Sequence, residues 1–223
     1  VKARARIVAR VEEDGTTGLT TLAGETPLLL RRAPHPDGLD TARIHLVGGT
    51  AGPIGGDDLA YRVEVGEGAR VEVRSLAAAL ALPGPGGAQS TLAFDVRVGP
   101  GARLDWAPEP LIAVRGANHA VHADIDLAED AELIWREDVV LGRDDEEPGS
   151  VRSRVRITRA GRVVLDHEFA VGPRYPGSLG PAGTAGYRRV ALTAEFAPGE
   201  RRPTIRLSFS GAELPDLAHT FTG

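Results

Sequence analysis

One stretch of this chain recurs with small changes, and the recurrence constrains the fold more than any other feature. Val63-Glu64-Val65-Gly66-Glu67-Gly68-Ala69-Arg70-Val71-Glu72-Val73 returns as Val96-Arg97-Val98-Gly99-Pro100-Gly101-Ala102-Arg103-Leu104-Asp105-Trp106. A third copy reads Ile125-Asp126-Leu127-Ala128-Glu129-Asp130-Ala131-Glu132-Leu133-Ile134-Trp135. Each copy predicts a strand, a tight turn and a second strand. Gly68 and Gly101 fall where the turn needs a positive φ, and Asp130 is expected to take that conformation in the third copy. Gly68 and Gly101 are 33 residues apart, and Gly101 and Asp130 are 29 apart. Units of this size cannot bury a face alone and must stack, so the spacing points to an all-β fold of layered strands, β-helix or solenoid-like.

Period-2 alternation supports this beyond the repeats. Val1, Ala3, Ala5, Ile7, Ala9 and Val11 alternate with Lys2, Arg4, Arg6 and Arg10, and Val151, Val155 and Ile157 alternate with Arg152, Arg154 and Arg156. Such segments are half-buried strands whose arginines form a solvated face. Helical periodicity is scarce; Tyr187 to Phe196 fits either a short helix or a strand, so at most one or two short helices are expected near the C-terminus. Gly48 to Asp58, Pro83 to Gly87, the acidic Asp144 to Pro148 and the Pro- and Gly-rich Gly172 to Gly186 read as loops. We read residues 1–223 as a single domain.

Composition narrows function mainly by exclusion. With 31 acidic against 26 basic residues and a net charge of −5, the chain lacks the basic excess that phosphate neutralisation needs, so nucleic acid is not an expected partner. It contains no Cys, which removes disulfides, thiolate metal sites and Cys nucleophiles together. No apolar run is long enough to span a bilayer, and no apolar stretch follows the first basic residues as in an export signal, so the expected setting is cytoplasmic, without a membrane partner. The Gly48 to Asp58 loop lacks the Gly-Lys-Ser/Thr ending of a phosphate-binding loop, and neither a nucleophile elbow nor a His-Glu-x-x-His motif occurs. A catalytic role is not expected.

Candidate functional residues are therefore sought among polar side chains on apolar faces, where a charge costs several kcal/mol unless it is paired or hydrated. Alternation places Glu137 with Leu133, Trp135, Val139 and Leu141; His119 with Val121 and Ile125; and His167 with Val163, Leu165 and Phe169. His119 and His122, followed by Asp124 and Asp126, suggest a metal cluster by composition. Strand geometry turns the two histidines to opposite faces.

Three motifs then stand in the order and at the approximate spacing of a known family. They are Gly55-Gly56-Asp57, Leu104-Asp105-Trp106-Ala107-Pro108-Glu109-Pro110-Leu111-Ile112, and Gly142-Arg143 after Trp135 to Leu141. Together with the Gly-Ala strand repeats they resemble the UreD (UreH) urease accessory proteins from about Ala3 to about Leu165. The resemblance implies a β-helical, non-catalytic protein that acts with UreF and the GTPase UreG to deliver nickel to urease apoprotein, the ion passing through a polar interior without a tightly bound cofactor. On that resemblance Asp57, Glu137, Asp138 and His119 are the candidate residues of a transient nickel path. The chain departs from the family where Arg74 to Leu80 lacks a common Thr-Gln-Ala-Ala-Thr-Lys-like segment, and where Asp144-Asp145 follows Gly142-Arg143 in place of Gly-Glu. The competing readings are a β-helical polysaccharide-acting enzyme and a β-rich interaction module.

Overall fold

The repeats stack as rungs. A computed structural model describes residues 1–34, 40–199 and 203–213. In chain order its strands are β1 (Lys2–Val11), β2 (Thr17–Gly24), β3 (Leu28–Ala33), β4 (Thr41–Gly48), β5 (Asp58–Val65), β6 (Arg70–Ser75), β7 (Ala79–Ala81) and β8 (Ser90–Val98). They continue as β9 (Arg103–Trp106), β10 (Leu111–Ala113), β11 (Asn118–Leu127), β12 (Glu132–Leu141), β13 (Ser150–Arg159), β14 (Arg162–Val171), β15 (Tyr187–Phe196) and β16 (Thr204–Glu213). One sheet runs β14-β13-β11-β8-β5-β1-β2; the other runs β16-β15-β12-β9-β6-β4-β3, with β10 joining β12 to β7. The inner strands of both sheets pair in parallel, and each repeat crosses from one sheet to the other at its turn. This is the expected solenoid, closed at each end by antiparallel strands.

Alternation sets the interior. In the first sheet Ile7, Val63, Val96, Ile125 and Ile157 lie in register from rung to rung, each at most 2% exposed. Full burial of one such side chain contributes about 1.5–3 kcal/mol. The next row holds Tyr61 and Phe94, stacked at 5.4 Å, facing Trp106 and Trp135 of the other sheet, which stack on each other at 5.3 Å. Phe94 meets both indoles edge-on, also at 5.3 Å, so few aromatic residues suffice to build a layer across the interior. Outward positions carry the alternating charges, as in Arg154–Asp166 and Arg152–Glu168; exposed pairs of this kind stabilise by at most about 1 kcal/mol.

One expectation changes and one open reading is decided. The turns close alike, Ala69, Ala102 and Ala131 each donating an N–H to the carbonyl of Gly66, Gly99 and Ala128. Gly68 (φ +68°) and Gly101 (φ +61°) adopt the left-handed conformation, but Asp130 does not: the third turn closes without a residue that needs it. Tyr187 to Phe196 is strand, held between β12 and β16. The described residues contain no α-helix, only a 3₁₀ turn at Pro85–Gly87.

The loops before β5 and β8 meet at Gly55 and Gly84. A Cβ on Gly84 would lie 2.2 Å from the Gly55 carbonyl oxygen, and one on Gly55 2.4 Å from the Gly84 nitrogen. Gly86, two residues on, has φ +62° with open space around it. Gly84→Ala is therefore expected to destabilise by about 3 kcal/mol, because backbone must separate from backbone. Gly86→Ala should lose only about 1 kcal/mol, the cost of the left-handed conformation. Urea unfolding of the two variants checks the difference; equal losses would refute the close approach.

Candidate functional site

A break in the second sheet makes the site. β12 runs unbroken, pairing with β9 through Glu132–Trp135 and with β10 through Val139–Leu141. Between these stretches Arg136, Glu137 and Asp138 have a strand partner in β15 alone. The cause lies in Ala107-Pro108-Glu109-Pro110, because proline has no N–H to donate and a parallel ladder cannot pass through two of them. β6 and β7 are separated in the same way by Leu76 to Ala78, and Leu76 is 64% exposed.

Behind the break is a chamber of about 450 Å³. Its lining runs across the rungs, from Leu28 and Leu46 through Leu59, Leu92 and Val121 to Ser153. The aromatic layer forms one wall, and a second apolar cluster of Ala113, Val139, Leu141, Val151 and Val171 lies on the other side. The walls are mostly apolar. Glu137 is half-buried among the lining residues. Its Oε1 accepts from Trp135 Nε1 at 3.1 Å, and its Oε2 accepts from Ser153 Oγ at 2.5 Å. Ser153 belongs to the opposite sheet, so this carboxyl bridges the two inner faces. Burial pushes the Glu137 carboxyl above its ordinary range, against the pull of the two donors.

The other candidates lie elsewhere or are already engaged. Asp138, 7% exposed, also borders the chamber but is held by Arg189 through two hydrogen bonds, Nε to Oδ1 at 2.8 Å and Nη2 to Oδ2, and by Arg136 at 3.1 Å. Asp57 is buried in its turn: its Oδ2 accepts the Ile54 N–H at 2.8 Å, its Oδ1 accepts from the Val1 nitrogen, and its carbonyl accepts from Thr91. It does not line the chamber. His119 is fully buried with Nδ1 2.8 Å from Ser90 Oγ, while Nε2 has no hydrogen-bond partner among the described residues. It too lies outside the lining, and burial pushes it down to about 4. His122, Asp124 and Asp126 point outward, as strand geometry requires, and no group of three metal-ligating side chains occurs among the described residues. Ser153 escaped the sequence reading although the rule that singles out Glu137, a polar side chain at an inward position, finds it as well.

Over residues 1–213 the chain matches the family model described as UreD urease accessory protein. A urease accessory protein UreD of Frankia casuarinae is 42% identical over 206 residues, which cover 80% of this chain and 65% of that protein. The protein of the same name from Streptomyces coelicolor is 42% identical over 221 residues, covering 98% of this chain and 86% of its own. A urease accessory protein UreD 2 of Saccharopolyspora erythraea is 39% identical over 209 residues, covering 93% and 73%.

The buried histidine makes stability depend on pH. Because His119 titrates at about 4 when folded and near 6.5 when exposed, the unfolded chain takes up a proton that the folded chain refuses. Its contribution is complete above 6.5 and is lost as pH falls toward the folded value, by about 2 kcal/mol between about pH 7 and about pH 5. Glu137 acts in the opposite sense: its raised value favours the folded state at low pH, and that contribution is lost as pH rises through it. Urea unfolding at the two pH values is expected to show a fall in the wild type, a smaller fall in His119→Leu and a steeper one in Glu137→Gln. Identical slopes in all three would remove both assignments.

Proposed function

Because the chain belongs to the UreD family of urease accessory proteins, we propose that it is a non-catalytic scaffold and conduit that passes nickel toward the urease active site. In this reading it works in the cytoplasm in a complex with UreF, the GTPase UreG and urease apoprotein. The observation that carries the reading is the chamber crossing the rungs behind the sheet break, with Glu137 at the end nearest β13.

A conduit wants a site that is occupied and then left. Three or four convergent ligands would trap a divalent ion, whereas one carboxylate supplemented by water holds it briefly. Glu137 fits the second description. Each oxygen already accepts one hydrogen bond from a neutral donor, which fixes its direction and leaves lone pairs toward the space. The chamber has room for an ion with its first shell of water, and of the other carboxylates at its lining, Glu109 and Asp138, the latter is already held by Arg136 and Arg189. Nickel is cargo here, held only in passage.

The four candidates divide by placement. Glu137 is the residue we assign to the ion. Asp138 is matched by two guanidinium groups, Asp57 secures the turn before β5, and His119 sits apart from the lining, so these three hold the walls in position.

Glu137→Gln keeps the shape and one acceptor oxygen for the Trp135 N–H, its amide nitrogen can instead donate to Ser153 Oγ, and the charge is removed. It is expected to remain folded and to co-purify with UreF while lowering nickel incorporation into urease several-fold, measured as metal content and urease activity in cells. Asp57→Ala is expected to lose stability first, visible as a lowered unfolding midpoint before any defect specific to nickel. Full activation by Glu137→Gln would exclude Glu137 from the path and leave the family membership intact.

A further inference from the structure

Tyr61 holds a hydroxyl at the chamber that no other residue satisfies. The residue is 7% exposed and belongs to the lining. Its ring is clamped: it stacks on Phe94 at 5.4 Å with the planes 7° apart, and meets Trp106 edge-on at 5.7 Å. The hydroxyl makes no hydrogen bond among the described residues, and burial alone pushes it above its ordinary range. Buried hydroxyls are normally paired, because the water they give up must be replaced. Here the fixed ring cannot turn the group toward another partner. The hydroxyl keeps some open surface, and since the residue borders the chamber, it gives onto that space.

The surroundings say what kind of molecule would meet it. Leu28, Leu59, Leu92 and Val121 line the space together with the indoles of Trp106 and Trp135. Chambers of about 300–1,000 Å³ with apolar and aromatic walls and a few polar groups are the usual form of small-molecule sites. This one has about 450 Å³. Charge excludes one class of guest. The lining carries three carboxylates, Glu109, Glu137 and Asp138, against one guanidinium, Arg136, and Arg136 is already bonded to Asp138. An anionic head would give up its water and meet no unengaged cation among the lining residues. A neutral hydroxyl can give a hydrogen bond to Tyr61 Oη or take one from it, while its carbon body covers the walls.

We propose that the chamber is a binding site for a neutral, mainly apolar small molecule carrying a hydroxyl group, which Tyr61 Oη anchors while the aromatic layer takes the hydrocarbon body. A guest there and a hydrated ion would compete for the same space, but the site follows from Tyr61 and the walls and does not depend on the nickel reading.

Both tryptophans of the chain line the chamber, so intrinsic fluorescence reports its occupancy. Three probes with one ring and different heads, benzyl alcohol, toluene and benzoate, are titrated into the full chain without metal. Benzyl alcohol is expected to give a saturable change, toluene to bind several-fold more weakly, and benzoate to bind about tenfold more weakly or less. Tyr61→Phe keeps the stacked ring and removes the hydroxyl. It is expected to bring benzyl alcohol to the level of toluene and to leave toluene unchanged. Val121→Phe fills part of the space and is expected to abolish binding of both. No saturable change with benzyl alcohol would mean a chamber that holds only water, and overturns the proposal. So does benzoate binding as tightly as the alcohol, or a Tyr61→Phe variant that still prefers the alcohol to toluene. Should Val121→Phe fail to fold by circular dichroism, nuclear Overhauser contacts in the wild type decide: the ring protons of benzyl alcohol must approach the Trp106 and Trp135 indoles, and their absence rejects the site. None of these readouts involves nickel, so their failure leaves the conduit standing, and full urease activation by Glu137→Gln leaves this site standing.

Discussion

The fold depends on in-register stacking of inward side chains across parallel rungs. A one-residue slip of any strand would turn its whole apolar set outward, so each rung is locked by the rung beneath it. The column from Ile7 to Ile157 shows the lock at its tightest, with branched aliphatic residues over one another in five strands. Turn length maintains it: Gly66 to Ala69, Gly99 to Ala102 and Ala128 to Ala131 close over the same number of residues, so every crossing delivers the next strand in phase. Because rows repeat, a departure in one row stays local. The row holding Leu59, Leu92, Val121 and Ser153 on one side and the interrupted ladder on the other is such a departure, and it leaves space without loosening the rows beside it.

Much of this was legible in the sequence because strands and turns are written in short-range pattern. The three repeats fixed the positions of β5, β6, β8, β9, β11 and β12, and alternation alone gave the inward placement of Glu137 and His119 and the outward placement of His122. What stayed hidden is decided by pairing between distant segments. Val190, Ala191 and Ala194 suit a helix face as well as a strand, and only the free edge of β12 settles the matter. The chamber was hidden too, since it needs Pro108 and Pro110 to end one ladder beside a strand that continues. Asp57 was visible as part of a loop motif, but its partners, the Ile54 N–H and the Val1 nitrogen, follow from how the loop closes on the first strand. Asp130 misled because one turn closure accommodates two backbone conformations, and a side chain that tolerates the left-handed one does not require it.

Glu137 and Asp138 show how one strand can give adjacent carboxylates opposite fates. Asp138 lies in a buried position but meets two guanidinium groups, which offset the loss of water and keep its charge in place. Glu137 meets an indole N–H and a hydroxyl, donors that orient a carboxylate without neutralising it. Burial then favours the proton. On the proposed nickel path, a cation arriving beside a carboxyl so placed would favour its ionised form and displace the proton. Both carboxylates border the chamber, but only Asp138 is neutralised by guanidinium groups.

The geometry also limits the direction in which anything could move inside. Along the strands, travel is blocked on one side by the Tyr61, Phe94, Trp106 and Trp135 layer and on the other by the second apolar cluster, both packed through. Across the strands the lining is continuous from Leu28 to Ser153, because each rung contributes the same row and the row is the one left unfilled. A path of the kind proposed would therefore follow the solenoid axis, crossing rungs rather than running along any strand. On the proposed path an ion would stay close to a neighbouring apolar row and would have to carry its waters with it, since bare transfer past Leu59, Leu92 and Val121 would forfeit its hydration with no ligand to replace it. That is why a sparse site suits the chamber: at the far end a single oriented carboxylate can exchange with one or two waters of the shell, and the remaining shell is what lets the ion leave.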